Sequence, residues 1–365
     1  MLIGDIISAI ESKAPTPLQE DYDNSGLQVG SRASECTGVL LCVDVTPAIV
    51  DEAISLGYNL IISHHPLIFH GLKRLTGSSA IEASVMNAIA AGISIYSSHT
   101  SMDNAAGGVS HEMARKLGLS SWRVLEPMEG RLLKLTTFVP HDHLERVRLA
   151  LFDAGAGRMG NYDSCSFTAQ GNGSYRPLKG SKPFIGAEYE FHIEPETRLE
   201  VMLPAWLKHK VEEALLLTHP YEVPAYEFVR IDNAIPTLGS GIIGKLPVAL
   251  RRNELAAKVK EAFGSPITRC SDYPADIPIS RVAVCGGSGS FLLKQAIHSG
   301  AQAFITSDTK YHDFVDYASR ILIVDIGHFE SEQCSKDIFY RTITEIFPNF
   351  AVRYSKAESN PIIYL

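Results

Sequence analysis

The sequence predicts an α/β fold. Two flanking α/β segments are expected to form one domain with mostly parallel sheets, interrupted by an inserted α+β domain of ferredoxin-like arrangement. Strands and helices alternate over residues 38–99, the alternation returns from residue 281, and the pattern between is different. A chain of 365 residues also exceeds what one hydrophobic core usually holds. The predicted bounds are 1–128 and 233–365 for the discontinuous domain and 129–232 for the insertion.

The first segment has the order of βαβ units. GVLLCVDV (38–45) is a continuous apolar run, which is typical of a strand buried on both faces. Thr46 and Pro47 then open a helix that ends at Gly57. NLIIS is the next strand, SAIEASVMNAIAAG is a helix ending at Gly92, and ISIYSSH is a third strand. This order predicts a buried, mostly parallel sheet.

The last segment repeats this order. RVAVC (281–285) leads into the glycine-rich loop GGSGS and a helix over FLLKQAIHSG. AQAFITS (301–307) and SRILIVDIG (319–327) are predicted as further buried strands. One helix is predicted to start near His328 and to continue through an apolar stripe to Ile346.

The middle of the chain contains two similar strand–helix units. KLTTFVP (134–140) and RLEVMLP (198–204) are strands stopped by proline, and each precedes a helix of similar length. The alternating segment AEYEFHI (187–193) lies between them as a predicted strand, and AYEFVRI follows. Two β-α units joined by hairpin-like strands predict a ferredoxin-like α+β domain.

Composition narrows the class of protein. A net charge of −8 and a pI near 5.9 oppose a nucleic-acid partner, which usually requires a basic surplus. The six cysteines are scattered without a CxxC pair, which indicates reduced thiols, not a disulfide framework or zinc ribbon. The first residues lack the basic start of a signal peptide, and no apolar run approaches the ~18 residues of a membrane span. A cytoplasmic protein with no membrane association is expected.

Candidate site residues follow the apolar strands. In open α/β sheets, ligands bind at the carboxyl ends of strands, where loops converge. His328 and Glu332 are four residues apart, so one helical face presents both to a single centre. Imidazole and carboxylate ligands suit Zn, Fe, Mn or Ni. The polar residues that follow these strands are His64, His65, His99, Asp103, Ser307, Asp308 and His328, and Glu332 completes the predicted set.

Each part of this set also has a simpler explanation. Asp103 could cap the helix that follows it, and His328 with Glu332 could be a capping pair. The GGSGS loop, through Ser288 and Gly289, could hold a phosphate at a helix N-terminus, although such loops are weak signals alone. The GxSxG and GxxxxGK[ST] motifs are missing from the sequence, so acyl transfer by a serine nucleophile and P-loop chemistry have no support.

Six segments in order resemble a known family. They are DNSGLQVG (23–30), SHHPLIF (63–69), SSHTSMDN (97–104), GGSG (286–289), TSDTKYHD (306–313) and DIGHFESE (325–332). Together they resemble the NGG-interacting factor three family, whose bacterial members are commonly labelled GTP cyclohydrolase I type 2 homologues. The resemblance covers about 1–128 and 233–365, and the middle is similar to the PII/CutA-like insertion of the longer members.

The resemblance implies a site with two divalent metal ions per chain, of Zn, Fe, Mn or Ni. Carried over by motif, the metal ligands are His64, His65, Asp103, His328 and Glu332. Three of these precede the insertion and two follow it, so the flanks must share one domain. The resemblance also implies a homohexamer, a trimer of dimers.

The implied activity is metal-dependent hydrolysis of a nucleotide-like small molecule: attack at C8 of GTP, opening of the purine ring and release of formate. His99 is the candidate catalytic proton donor, and Ser288 and Gly289 are candidate phosphate contacts. Two alternatives remain open. One is a metal-dependent phosphoesterase or nuclease, since two-metal sites also serve phosphoryl chemistry. The other is a non-catalytic metal-binding regulatory protein with a sensing insertion.

Overall fold

Residues 1–364 are described by a computed structural model, and their contacts divide the backbone into two units. One unit is Met1–Pro127 together with the segment that begins at Pro236, and the other is Met128–Ile235. Among the helices of the described chain, none combines the length and the apolar character that crossing a bilayer requires.

The helices and strands alternate along most of the chain. Up to the start of the second unit they are α1 Ile3–Lys13, β1 Gly26–Val29, β2 Val39–Cys42, α2 Pro47–Leu56, β3 Leu60–Ser63, α3 Ala80–Ala90, β4 Ser94–Ser97, α4 Thr100–Asp103, α5 Val109–Lys116 and β5 Ser120–Met128. The second unit contains β6 Leu132–Pro140, α6 Leu144–Asp153, β7 Phe167–Tyr175, β8 His192–Pro204, α7 Lys208–Thr218 and β9 Tyr226–Ile231. The rest are β10 Ile235–Leu250, α8 Arg252–Phe263, β11 Arg269–Cys270, β12 Ile279–Val284, α9 Leu293–His298, β13 Ala303–Thr306, α10 Tyr311–Tyr317, β14 Leu322–Asp325, α11 His328–Glu332, α12 Ser335–Ile346 and β15 Val352–Tyr354.

The first sheet has the strand order β1-β4-β3-β2-β15. The pairs β4–β3, β3–β2 and β2–β15 are parallel, and only β1 at the edge is antiparallel. Every residue of β2, β3 and β4 is buried, as expected for strands covered on both faces. Local signals set the connecting helices: α2 ends at Gly57, whose φ of 68° is left-handed, and the Ser79 side chain caps α3 by accepting from the amide of Glu82.

The second sheet has the order β11-β14-β13-β12-β10-β5 and is mixed. The pairs β12–β13 and β13–β14 are parallel, whereas β10–β12 and β11–β14 are antiparallel. The prediction of mostly parallel sheets is therefore wrong for this sheet. Parallel neighbours need a crossover connection, and only β12, β13 and β14 are joined in succession by helices.

The second unit is a four-stranded sheet with the order β7-β8-β6-β9 and antiparallel pairs throughout. With α6 and α7, its connectivity is that of a β-α-β-β-α-β unit. The two helices and one face of the sheet bury an apolar core of their own: Leu133, Leu135, Val139, Val147, Leu151, Leu199, Val201, Leu203, Val211 and Leu215.

Two sequence-based predictions about elements are wrong. Only the last two residues of AEYEFHI are in a strand, because β8 begins at His192, and β8 lies between β7 and β6. The strand β7 was not predicted, because its sequence has no apolar alternation. It contains Gly171 and Gly173, and most of its positions are exposed. The helix predicted from His328 onward is two helices, because α11 ends at Glu332 and α12 restarts at Ser335.

The carboxyl ends of the parallel strands converge within the first unit. β2, β3 and β4 lead into Asp44, the His64–His65 pair and His99, and β14 leads into His328. Parallel pairing in register brings these ends to one edge of each sheet. The fold therefore concentrates the candidate residues at the place where ligands bind in α/β proteins.

We predict that excising residues 129–232 leaves a folded first unit. β5 and β10 are neighbours in the second sheet and run antiparallel, since a Cβ on Gly244 would lie 3.2 Å from that of Trp122 and one on Gly241 would lie 3.4 Å from that of Leu125. The end of β5 and the start of β10 therefore lie close together, and a short Gly/Ser linker can join them. Circular dichroism and metal content should match those of the full chain.

A larger deletion provides the control for this prediction. Removing residues 120–250 also takes away β5 and β10 and leaves the hydrogen-bonding edge of β12 unpaired, so this variant should unfold or aggregate. If excision of 129–232 alone gives only insoluble protein, the insertion belongs to the core of the first unit.

Candidate metal centre

The adjacent histidines His64 and His65 are held in place by the first sheet. Their backbone amides donate to the carbonyls of Cys42 and Val43, which extends the pairing of β3 with β2 past the end of the strands. The Nδ1 atom of His64 lies 3.1 Å from the carbonyl oxygen of Ser98. In both rings Nδ1 is engaged, since that of His65 lies 2.8 Å from the Asp44 carboxylate, and Nε2 is left for the centre of the site.

His99 and His328 have the same arrangement. Nδ1 of His99 lies 2.8 Å from Asp23, and Nδ1 of His328 lies 2.5 Å from Asp308. Histidines that bind metals almost always donate their other ring N–H to a carboxylate or a backbone carbonyl, which sets the tautomer and the ring orientation. All four rings therefore present the nitrogen that a metal ion requires.

Glu332 lies at the centre of the cluster, and its two carboxylate oxygens face different neighbours. The Oε2 atom lies 2.8 Å from Nε2 of His65 and 2.8 Å from Nε2 of His328. These two ring nitrogens are 3.3 Å apart. The two 2.8 Å separations are hydrogen-bond distances, and each of the three atoms can also serve as a ligand to a divalent ion.

The Oε1 atom of Glu332 faces a second group of donors. It lies 3.7 Å from Nε2 of His64, and that nitrogen lies 3.7 Å from Oδ1 of Asp103. Nε2 of His64 and Oδ1 of Asp103 are buried and lack a hydrogen-bond partner in the described chain, which is costly unless another group satisfies them. Donors around a tetrahedral ion with bonds of ~2.1 Å are ~3.4 Å apart, so this spacing fits a metal and not a hydrogen bond.

The charges of the site also call for cations. Five carboxylates lie within or directly behind the cluster: Asp23, Asp44, Asp103, Asp308 and Glu332. An imidazole that binds a metal is neutral, so the ligand rings do not balance this negative charge. The donor set and its charge therefore fit the binding of divalent metal.

The pKa values show how the site responds to this excess of negative charge. Burial alone would lower the pKa of His65, but its hydrogen bonds to Asp44 and Glu332 outweigh burial and raise the pKa to about 10. For His328, burial also lowers the pKa, and Glu332 together with Asp308 raises it to about 9. Burial and the charge of Glu332 raise the pKa of Asp103 to about 7 against the opposing effect of His64. Without a metal ion, protons on His65, His328 and Asp103 therefore offset part of the negative charge of the cluster.

The structure brings the five predicted metal ligands together, with His99 beside them, since its ring centroid lies 5.4 Å from that of His64 and 5.3 Å from that of His65. The capping explanations are wrong. Helix α5 begins at Gly108 as its N-cap and receives no cap from Asp103. Helix α11 has Gly327 as its N-cap and no side-chain cap.

The GGSGS loop has a structural role that the sequence did not indicate. A Cβ atom on Gly287 would lie 2.1 Å from Oε1 of Glu332, and the Gly287 amide donates to Ser331. The loop is therefore glycine because its backbone passes directly against the central carboxylate. The Gly289 amide donates to Thr306 and the helix that follows is short, so neither supports the predicted phosphate contact at Gly289, which stays a prediction. The side chain of Ser288 is exposed.

Sequence reasoning missed Asp23 and Asp44 behind the rings, and it placed Asp308 at a strand end without assigning it a role. Asp23 is fully buried and accepts from the amide and the hydroxyl of Thr100 as well as from His99. Asp44 and Asp308 each follow an apolar strand, which was the available signal. Asp308 also has a φ of 53°, a conformation that non-glycine residues rarely adopt and that is enriched at functional sites.

The family described as Duf34/NIF3 (NGG1p interacting factor 3) matches residues 1–361. The chain belongs to this family. The family predicted from the six motifs is thus confirmed. A protein of Halalkalibacterium halodurans described as a GTP cyclohydrolase 1 type 2 homolog is 38% identical over 325 residues, which cover 88% of this chain and 87% of that protein.

Two further relatives extend over nearly the full length. A Bacillus subtilis protein with the same description is 34% identical over 367 residues, covering 99% of this chain and 98% of that protein. The crystal structure of a Bacillus cereus protein related to NIF3 aligns with a TM-score of 0.87 and 36% identity, covering 100% of this chain and 99% of that one. This chain and the Bacillus cereus protein share a mixed α/β fold with several sheets.

Replacing Gly287 with alanine should lower metal affinity roughly tenfold or more, because the new methyl group displaces the Glu332 carboxylate. Gly264→Ala is the matched control: Gly264 has a φ of 63°, nearly the same as the 61° of Gly287, but its Cβ would meet nothing within 4 Å. Both variants should lose about 1–2 kcal/mol of stability to backbone strain. Metal titration by calorimetry should separate them, and equal affinities would contradict the proposed role of the loop.

Chelator-treated protein should lose thermal stability as the pH rises from about 6.5 to 10. The pKa values of His65 and His328 are raised in the folded chain from 6.5, so the folded state binds more protons and its advantage is lost as the pH rises through 9 and 10. Melting curves should show this decline, and metal-loaded protein should show less of it because its rings are already deprotonated. His328→Gln should flatten the decline, and a rising melting temperature would refute the assignment.

Proposed function

We propose that the chain is a metal-dependent hydrolase that opens the purine ring of GTP or a related nucleotide. The observation that carries the proposal is the position of Glu332, whose two oxygens face two separate groups of donors. The description of relatives as GTP cyclohydrolase 1 type 2 homologs supports the choice of substrate. The reaction consumes two waters, one to open the ring at C8 and one to release formate.

In this proposal the ligands form two groups that share Glu332. His65, His328 and Oε2 of Glu332 hold one divalent ion, and the other group is His64, Asp103 and Oε1 of Glu332. Bound divalent ions lower the pKa of water, so that a nucleophile is available near neutral pH.

The exposure of the ligands indicates where a substrate approaches. The side chains of His64 and Glu332 are 0% and 3% exposed, whereas that of His328 is 33% exposed. Asp103 and His99 are also partly exposed, at 24% and 17%. The closed side holds the cluster in position, and the open side lies at His328, Asp103 and His99.

His99 is the proposed proton donor for the imidazole nitrogen of the leaving ring. Its Nδ1 is held by Asp23, which leaves Nε2 for the substrate side. Burial would raise the pKa of Asp23, but the hydrogen bonds from His99 and Thr100 lower it well below its usual range. Asp23 therefore stays ionised and holds the His99 ring through Nδ1, with Nε2 placed for the proton transfer that general acid catalysis requires.

The insertion and the assembly complete the proposal. The β-α-β-β-α-β connectivity of residues 128–235 supports a ferredoxin-like module of the PII/CutA-like kind. A homohexamer built as a trimer of dimers is proposed for the assembled protein, and light scattering on purified protein tests it.

Metal content distinguishes the two ligand groups. Purified protein is expected to hold about two divalent ions per chain, since two of the three overlapping donor groups meet at Glu332 through different oxygens. Asp103→Ala and His328→Ala should each lose about one ion, and Glu332→Ala should lose both, because only Glu332 serves both groups. Elemental analysis that finds full occupancy in Glu332→Ala would refute the shared carboxylate.

Turnover tests the reaction itself. Metal-loaded protein incubated with GTP should release formate, and the release should stop on chelation and return when metal is added. Asp23→Asn and His99→Asn should retain metal but lose roughly 10²–10⁴-fold in rate, the usual contribution of a general acid. Release of phosphate in place of formate would favour the phosphoesterase alternative. Metal-loaded protein that is inert towards nucleotides and phosphoesters would favour a regulatory role.

A further inference from the structure

The second unit contains a cavity of about 780 Å³ that is separate from the candidate metal centre. It lies on the face of the sheet opposite α6 and α7. On β8 the helix-facing positions are Leu199, Val201 and Leu203, and the alternate positions Glu196 and Arg198 line the cavity. Its volume falls within the range of small-molecule sites, roughly 300–1,000 Å³.

Small residues on β7 create this space. Gly171 lies opposite Glu196, Ala169 lies opposite Arg198, and both share the cavity face with Gly173. A Cβ on Gly171 would meet nothing within 4 Å, whereas one on Gly173 would lie 2.3 Å from Oε2 of Glu196. The glycines therefore leave room above the sheet and allow the Glu196 carboxylate to lie against the backbone of β7.

Glu196 is the buried charge of the cavity, with only 8% of its surface exposed. Within residues 1–364 no lysine, arginine or histidine lies within ion-pair distance of its carboxylate. The acids on either side of it on the same strand are paired: Glu194 with His192, and Glu200 with Lys134 and Arg198. A buried carboxylate is costly unless a cation compensates it.

Aromatic rings surround this carboxylate. The ring centroid of Tyr221 lies 5.9 Å from that of Tyr175 and 6.3 Å from that of Phe184, and Phe138 lines the same cavity. The Tyr221 hydroxyl is buried beside this carboxylate. Burial, the hydrogen-bonding interaction with Glu196 and the charge of Glu196 raise the pKa of Tyr221, so this hydroxyl remains protonated. Ring faces around a carboxylate attract a cation, whereas they do not attract an anion.

We propose that this cavity binds an organic ammonium cation that carries an apolar body. The ammonium group pairs with Glu196, and the apolar body packs against the rings of Tyr175, Phe184 and Tyr221. The two arginines of the lining, Arg176 and Arg198, are exposed, and Arg198 is paired with Glu200. An anionic ligand is disfavoured in the enclosed part of the cavity, because its buried charge is that of Glu196.

The test uses the full chain and three compounds of nearly equal shape. These are 2-phenylethylamine, its neutral counterpart 2-phenylethanol and the anion 3-phenylpropionate, titrated by calorimetry and followed by ligand-observed NMR. The amine should bind roughly tenfold more tightly than either counterpart, because only the amine pairs with the carboxylate. Equal or tighter binding of the alcohol or the anion, or no binding of the amine, overturns the proposal.

Three variants locate the binding. Glu196→Gln removes the charge and should weaken amine binding roughly tenfold or more. Gly171→Leu fills the cavity without a backbone clash and should abolish binding, which keeps the test decisive if Glu196→Gln misfolds. Glu213→Gln removes an equal charge from an exposed position of α7, on the opposite side of the sheet, and should leave the affinity within about twofold. Equal affinities in wild type, Glu196→Gln and Gly171→Leu refute the site.

Discussion

The site in this chain depends on one buried carboxylate. Glu332 is almost completely enclosed, and its pKa lies well below the usual range because the neighbouring histidines outweigh its burial. An ionised carboxylate in such a place must be compensated, and the surrounding elements do this. His65 and His328 contact one oxygen, His64 faces the other, and the backbone of Gly287 passes against it. The Glu332 carboxylate therefore contacts residues that follow β3, residues of α11 and the loop after β12.

The carboxylates behind the histidines are as important as the ligands. Asp23, Asp44 and Asp308 each accept from the Nδ1 of one ring, so the tautomers and ring orientations are set before any ion arrives. They also make the site more negative, which favours divalent cations and raises the affinity of the free cluster for protons. Metal binding and proton release are therefore coupled in this arrangement.

The two units of the chain differ in the chemistry that they offer. The first unit gathers imidazoles and carboxylates at the ends of parallel strands, as expected for a metal centre. The second unit has an aromatic cavity around Glu196, with its own core on the opposite face of the sheet. Because each unit buries its own core, the second site can vary in sequence without disturbing the ligands of the first.

Local sequence determined a large part of this structure. The strands β2, β3, β4, β13 and β14 are short apolar runs, and the spacing of His328 and Glu332 places both on one turn of helix, so local periodicity predicts them. The motifs also indicate the family.

Tertiary structure decided the rest. His65 and Glu332 are 267 residues apart, and no local pattern states which oxygen of Glu332 faces which ring. The role of Gly287 and the direction of β10 likewise depend on partners distant in sequence. Periodicity reports how a segment packs, whereas the choice of its neighbours follows from the packing of the whole chain.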